Sequence, residues 1–294
     1  MRAGQHAQLS LFAPPVLRGR PAAEELPGRA DLHVHSYWSD GAQAPRTLVR
    51  RAARRLDVLA ITDHDEIRGA LLARQYARSR PELGVEVVVG EEISTRNGHM
   101  LGLFLEERVP PGLPALETIH RIHAQGGMAV VAHPCHPMNV RDRGARCLTE
   151  LIGDLPLDAI EVVNNAGFFS WLYDALAALR NVEWALPVTG GSDAHDVWYL
   201  GSGITRFEGR RAEDLRRALQ AGRTRAQVRW RWTADKAPRH LAIQMRSLVR
   251  FVALLAHHQP QPRLWRALAA AAAAVSSRRG ALTPPVASIR PETP

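Results

Sequence analysis

The sequence predicts an α/β protein built around a parallel sheet. Three observations carry this. First, seven short apolar runs recur along the chain: Ala30–Val34, Val58–Thr62, Val85–Val89, Met100–Leu105, Met128–Ala132, Ala159–Val163 and Leu186–Thr189. Several are rich in Val or Ile and bounded by Gly, Pro or Asp, as buried strands are. Second, most of the intervals between them hold apolar residues at helical spacing, such as Leu48, Ala52 and Leu56, and Glu66–Ser79 and Leu113–Gln125 read as helices. Third, strands that alternate with helices imply a parallel sheet, either closed into a barrel or doubly wound.

The chain divides into three parts. Residues 1–29 are polar, Pro-rich and aperiodic, and read as a disordered tail. Residues 30–225 hold the alternating pattern. Residues 226–294 form a basic extension, in which Pro238–His257 is amphipathic through Leu241, Met245, Leu248, Val249 and Val252, and Arg263–Val275 is Ala-rich. The net charge of +9 is a property of the C-terminal third, where residues 206–294 carry 18 basic and 5 acidic side chains. Two readings stand for this excess. One is a polyanionic partner, most often nucleic acid. The other is compositional, because Lys236 is the one lysine among 38 basic residues and the chain is rich in Ala, Arg and Pro.

No apolar run reaches the roughly 20 residues that span a bilayer. The stretch from Leu9 to Leu17 holds two prolines and no clean cleavage site, so it reads as a tail and not as a signal peptide. Two cysteines, Cys135 and Cys147, give no disulfide framework in a chain of 294 residues, and a reducing cytoplasm is the expected compartment.

The runs share a feature that packing does not require. Nearly all end in a potential metal ligand. The first delivers His33 and His35, with Asp40 in the following turn; the second delivers Thr62-Asp63-His64-Asp65; the third delivers Gly90-Glu91-Glu92-Ile93-Ser94. The fourth begins at His99, the fifth ends Ala132-His133-Pro134, and the seventh ends Gly191-Ser192-Asp193-Ala194-His195. Residues two apart on a strand point the same way, so His33 and His35 can face one ion. In parallel α/β folds the carboxyl ends of the strands form the active-site face. A lone histidine at a strand end is more often a hydrogen-bonded structural residue, but six of the thirteen histidines fall in these motifs. His120, His123, His240, His257 and His258 read as structural, and His136 as a neighbour of the ligands. Imidazole and carboxylate donors without thiolate suit Zn, Mn or Fe.

His33-Val34-His35-Ser36 through Ser39-Asp40-Gly41, then Ile61-Thr62-Asp63-His64-Asp65, Gly90-Glu91-Glu92-Ile93-Ser94, His99, Ala132-His133-Pro134 and Gly191-Ser192-Asp193-Ala194-His195, resemble the motifs of the PHP (polymerase and histidinol phosphatase) superfamily, its TrpH-type phosphoesterases above all. The resemblance covers residues 30–205. It implies a distorted (β/α)7 TIM-like barrel, here with a C-terminal helical extension, and two or three divalent metal ions. Carried over by motif, His33, His35, Glu92 and Asp193 hold the first ion. Glu92, with Glu91 as the weaker match, bridges to a second held by His99 and His133. Asp40, His64 and His195 hold the third. Clustered divalent cations lower the pKa of water and neutralise phosphoryl oxygens. Arg68, Arg96, Arg141 and Arg206 lie after strand ends and are candidates to add positive charge there. The expected catalytic set is His33, His35, Asp193 and His195, with Asn164 after the sixth strand.

Gln8-Leu9-Ser10-Leu11-Phe12 resembles the peptide by which bacterial replication and repair proteins bind the sliding clamp. Such a segment presents leucine and phenylalanine to apolar pockets and anchors by its glutamine. The expected activity is therefore metal-dependent hydrolysis of a phosphate ester on a nucleotide or nucleic-acid end, with a bacterial sliding clamp as partner and no membrane. Two alternatives stand beside it: a phosphomonoesterase of a small metabolite, and a non-catalytic module in DNA replication or repair. The filled ligand set argues against the second.

Overall fold

Each apolar run of the sequence becomes a strand, and two strands join that the runs do not announce. The structure is a computed structural model that describes residues 26–135, 146–165 and 170–230. These residues fall within one compact unit, residues 1–247. The elements are β1 Gly28–Asp31, α1 Pro45–Ala52, β2 Val58–Ile61, α2 Arg68–Arg78, β3 Glu86–Ser94, β4 His99–Leu103, α3 Ala115–Ala124, β5 Met128–Val131, α4 Leu148–Leu151, β6 Ala159–Asn164, α5 Ser170–Trp184, β7 Val188–Gly191, β8 Gly203–Phe207, α6 Ala212–Gln220 and β9 Arg225–Val228. The clamp-like peptide Gln8–Phe12, His136, Arg141 and the expected helices 238–257 and 263–275 lie outside the described residues. No helix among the described residues is long and apolar enough to cross a membrane.

The nine strands form one sheet in the order β7-β6-β5-β4-β3-β2-β1-β8-β9. The pairs β1–β2, β2–β3, β5–β6 and β6–β7 are parallel, as expected. The expectation of a fully parallel sheet is corrected at β4, which runs antiparallel to both neighbours. The reason is length. Only residues 95–98 join β3 to β4, and a parallel crossover needs a dozen residues or more. The turn is closed by Thr95, whose hydroxyl accepts from the backbone N–H of Asn97 (3.0 Å) and Gly98 (3.1 Å). β8 and β9 are the two unannounced strands, both antiparallel. β1 begins at Gly28, and the expected boundary at residue 225 falls on the first residue of β9.

Alternation along the strands sorts the core into two layers. Ala30, Leu32, Val58, Ala60, Val88, Leu101, Leu103, Val130, Ala159 and Phe207 fill the inside of the curved sheet, with Leu215, Ala218 and Leu219 of α6. Leu59, Ile61, Ile93, Val131 and Ile160 face outward, under Leu48, Val49 and Ala52 of α1, Ala70 and Ala73 of α2, and Ile119 and Ile122 of α3. Pro45 starts α1 at a position where its missing N–H costs nothing. The carboxylate of Asp214 in the first turn of α6 reaches back to the N–H groups of Arg210 (3.1 Å) and Arg211 (3.0 Å), capping that helix.

The sheet curls until its ends nearly meet. At the upper end Val34 pairs with Ala194, and His35 N–H donates to the Ala194 carbonyl at 3.0 Å. Lower down, β8 lies between β1 and β7. Its Thr205 hydroxyl accepts from Gly190 N–H (2.8 Å) and donates to the Gly190 carbonyl (3.0 Å). Glycine is needed at this seam, since a Cβ on Gly190 would lie 2.6 Å from the Ile204 carbonyl oxygen. Thr205→Val keeps the side-chain volume and removes both bonds to a buried glycine. We expect it to lower unfolding free energy by about 1–3 kcal/mol. Equilibrium urea denaturation measures this, and an unchanged midpoint would mean that the hydroxyl does not hold the seam.

Candidate metal centre

The columns of aliphatic residues inside the barrel turn polar at its mouth. On β2 and just beyond it the inward column runs Val58, Ala60, Thr62, His64; on β3 Val88 leads to Glu92; on β6 Ala159 leads to Glu161. Because β4 runs the other way, its candidate ligand His99 is its first residue, above Leu101 and Leu103. Two candidates sit where the backbone takes a positive φ, His133 at 26° and Asp193 at 49°. A residue with a Cβ held there costs of order 1–3 kcal/mol, so its surroundings must hold it. His133 N–H donates to Glu161 Oε2 at 2.9 Å, and Asn164 Nδ2 donates to Asp193 Oδ2 at 3.2 Å.

Glu92 is the hub of the cluster. Its Oε1 lies 2.7 Å from His99 Nδ1 and 3.1 Å from His133 Nε2. Its Oε2 lies 3.1 Å from His33 Nε2, 3.3 Å from His35 Nε2 and 3.3 Å from His64 Nδ1. Asp193 Oδ1 stands 3.1 Å from His35 Nε2 and 3.6 Å from His33 Nε2 and from His195 Nδ1. Asp40 Oδ2 lies 2.9 Å from His195 Nε2 and 3.7 Å from His64 Nε2. All nine residues that the sequence singles out are thereby brought together.

Burial opposes ionisation of the three carboxyls, yet the facing imidazoles prevail and hold all of them well below the usual carboxylate range. His64, His99 and His33 do this for Glu92, His33, His35 and His195 for Asp193, and His195, His64 and His35 for Asp40. Against the same cost of burial, Asp193, Glu161 and Glu92 raise His33, and Asp40 and Asp193 raise His35. The carboxylates thus demand positive charge here, from protons on imidazoles or from cations in their place. Burial pushes His64 down to about 4 despite Glu92 and Asp40, which leaves one ring nitrogen's lone pair available at neutral pH.

The donor set fits divalent cations. The nine residues fall into four overlapping groups, His35-Asp40-His64-His195, His33-Glu92-His133, His33-His35-Asp193 and His64-Glu92-His99, within each of which the ligand atoms lie within 4.8 Å of one another. Both ring nitrogens of His35 and Oδ1 of Asp193 are buried and make no well-aligned hydrogen bond among the described residues, which leaves them as donor atoms for an ion. Nitrogen and oxygen donors without thiolate are the kind that first-row divalent ions take.

The other sequence candidates separate. Glu91 faces away from the cluster, accepts from Val109 N–H at 2.9 Å, and is pushed up to about 8 by burial. Asn164 touches Glu161 (2.9 Å) as well as Asp193, so it positions a carboxylate. Arg68 stacks on Trp38, 4.5 Å from the ring centroid, in the loop between His35 and Asp40, and pairs with Glu66. Arg96 is exposed and donates to the Gly112 carbonyl. Arg206 pairs across the sheet with Arg29, at the end of β1 away from His33. His123 lies on α3, 2.8 Å from Asp158.

Three buried carboxylates support the cluster from behind: Asp63, which the sequence shows in a motif without a role of its own, and Asp31 and Glu161, which it does not single out. Glu161 lies 3.2 Å from His33 Nδ1. Asp63 accepts from Ser36 N–H (2.7 Å), Ser36 Oγ (2.6 Å) and Ser39 Oγ (2.7 Å), and so shapes the loop that carries Asp40. Asp31 accepts from Ser192 N–H (2.9 Å), Ser192 Oγ (2.6 Å) and Gly201 N–H (2.7 Å), tying β1 to the loop of Asp193. A lone carboxylate at an inward position of an apolar strand was the available signal for Glu161.

The sequence matches the PHP domain family over residues 31–153 and the PHP-associated family over residues 177–224. An uncharacterized protein of Methanocaldococcus jannaschii is 39% identical over 148 residues, 46% of this chain and 81% of that protein. A 5′-3′ exoribonuclease of Haemophilus influenzae is 44% identical over 93 residues, 30% of this chain and 33% of the enzyme. In fold, the chain resembles the crystal structure of a two-domain protein containing a PHP-like phosphoesterase from Bacteroides vulgatus, with a TM-score of 0.57, 23% identity, and coverage of 73% of this chain and 69% of that one. The chain belongs to the PHP family. It is a metal-dependent hydrolase of phosphoester bonds.

Removing a carboxylate that orients a ligating histidine typically costs 10–100-fold in metal affinity. Glu161→Gln keeps shape and removes charge next to His33. We expect affinity for Mn2+ to fall by about that factor with the circular dichroism spectrum retained. Calorimetric titration of the variant with Mn2+ is the check, and wild-type affinity would place Glu161 outside the centre's support.

Proposed function

We propose that this enzyme hydrolyses phosphoesters on nucleotides or nucleic-acid ends, with two or three divalent ions, Mn, Zn or Fe, held by His33, His35, Asp40, His64, Glu92, His99, His133, Asp193 and His195. The observation that carries the reading is the position of Glu92. Its two oxygens face five imidazoles that belong to different groups of the cluster, an arrangement suited to a carboxylate shared between ions. Such ions supply Lewis acidity toward a phosphoryl oxygen and toward the attacking water. The chain's own residues do the positioning. Asn164 and Glu161 fix Asp193, His133 and His33, while Asp63 fixes the Asp40 loop. Exposed Arg68, braced on Trp38 beside that loop, offers a guanidinium to an approaching phosphate. Similarity to a 5′-3′ exoribonuclease supports a nucleic-acid end as a substrate class.

The test is turnover by purified protein supplied with Mn, Zn or Fe. The panel holds 5′-phosphorylated RNA and DNA strands, nucleoside bisphosphates, and small monoesters of the histidinol-phosphate kind. We expect kcat/KM to be highest on the nucleotide substrates; a preference for the small monoesters would return the enzyme to metabolite chemistry. His33→Ala or Asp193→Ala is expected to abolish turnover with the fold retained. Wild-type rates in either variant would remove these residues from the reaction.

We propose further that Gln8-Leu9-Ser10-Leu11-Phe12 tethers the enzyme to a sliding clamp. Burying each of Leu11 and Phe12 is worth about 1.5–3 kcal/mol. With ordering costs, an affinity of about 1 μM is expected. Leu11→Ala with Phe12→Ala should abolish binding to the clamp of the same organism and leave hydrolysis of a small ester unchanged. Binding indifferent to the double substitution would end the tether.

A further inference from the structure

Between α1, the loop after Asp193 and the residues after β9, arginines and tryptophans interleave. Arg51 lies over the Trp198 ring at 5.6 Å from its centroid. Arg55 and Arg229 both lie over Trp230, at 5.3 Å and 5.2 Å. A guanidinium nitrogen of Arg229 also stands 3.5 Å from the Arg55 carbonyl oxygen, so the two halves of the cluster touch. Among the described residues none of these three arginines has a carboxylate partner, whereas nearby Arg29 and Arg210 share Asp57. Burial first, then Arg51, lowers Arg55, and burial first, then Arg29, Arg55 and Arg206, lowers Arg229. Like charges are held together here by two indole rings, whose attraction for each guanidinium offsets part of their mutual repulsion.

Two links tie the cluster to the segments that carry the metal centre. Trp198 follows His195 by three residues and is 53% exposed. The Trp230 carbonyl accepts from Asn165 Nδ2 at 2.9 Å, and the preceding Asn164 touches Asp193. Guanidiniums without acidic partners attract phosphates, and an exposed indole offers a face on which any base can stack. That combination is how non-specific single-strand binding surfaces are built.

We propose that Arg51, Arg55, Arg229, Trp198 and Trp230 form a track for a single-stranded nucleic acid whose end lies in the metal centre. It rests on the reading that the substrate is a nucleic acid. The three arginines bind successive phosphates, Trp198 stacks a base, and Trp230 preorganises two of the guanidiniums.

The experiment measures fluorescence anisotropy of a labelled single-stranded 12-mer with phosphorothioate linkages, which keep the charge and resist hydrolysis, across a range of salt. The full-length, metal-loaded protein is compared with the triple variant Arg51→Gln, Arg55→Gln, Arg229→Gln. Each phosphate contact on a single strand contributes about 0.7 to the slope of log affinity against log salt, so the slope should become shallower by about 2. Affinity should fall at least about tenfold, with hydrolysis of p-nitrophenyl phosphate unchanged. Should the triple variant fail to fold, Trp198→Ala is the second arm, weakening affinity about tenfold with the slope kept. Unchanged slope and affinity would overturn the track, as would equal competition by polyglutamate. Tight, salt-dependent binding by a wild-type enzyme that hydrolyses no nucleic acid would leave the track standing and retire the proposed substrate class.

Discussion

The structure turns on one buried carboxylate. Glu92 has no access to water, and five imidazole nitrogens stand within 3.3 Å of its oxygens. An uncompensated charge there would be far too costly to keep. Everything around it supplies compensation or geometry. β3 is the longest strand because it must carry Val88 in the apolar interior and Glu92 at the mouth. β4 reverses at once, so that His99 returns to the same carboxylate. His133 accepts a positive φ to reach it. Asp40 and Asp193 extend the same logic outward, each carboxylate facing histidines from more than one element.

Much of this was legible in the sequence because strand alternation and polar strand ends are local signals. Val58 to Thr62 and then His64 reads off directly, and the nine candidate ligands come together as their motifs suggest. What was not legible depends on partners distant in sequence. The apolar pattern of Met100–Leu105 looks the same for a parallel or an antiparallel strand, and only the short connection at Thr95–Gly98 decides. β8 and β9 carry Thr205, Arg206, Arg225 and Gln227, too polar to read as buried strands, because they close the seam and face outward in part. Glu161 was hidden in an apolar run, and its role exists only once β5 and β6 lie side by side.

Support for the centre comes from a layer of carboxylates that touch no candidate ion position and hold those that do. Asp31, Asp63 and Glu161 each accept two or more hydrogen bonds from residues distant in sequence, so each fixes a spacing that side-chain packing alone would leave loose. Their targets are loops, where backbone freedom is greatest. This explains why seven of the nine candidate ligands, all but Glu92 and His99, lie beyond the strand ends without losing alignment.

The seam of the barrel and its reaction centre are one place. The backbone pair that brings the segment after β7 against the segment after β1 at the top joins His35 to Ala194, and the residues on either side of Ala194 are Asp193 and His195. A cation held by His35, Asp193 and His195 would tie the segment after β1 to the segment after β7. Opening the ring means giving up the ion, and by mass action an ion present at a thousand times its Kd adds about 4 kcal/mol to the closed state. Ion supply would then act as a term in the folding equilibrium, and a chelator would be a mild denaturant directed at a single joint.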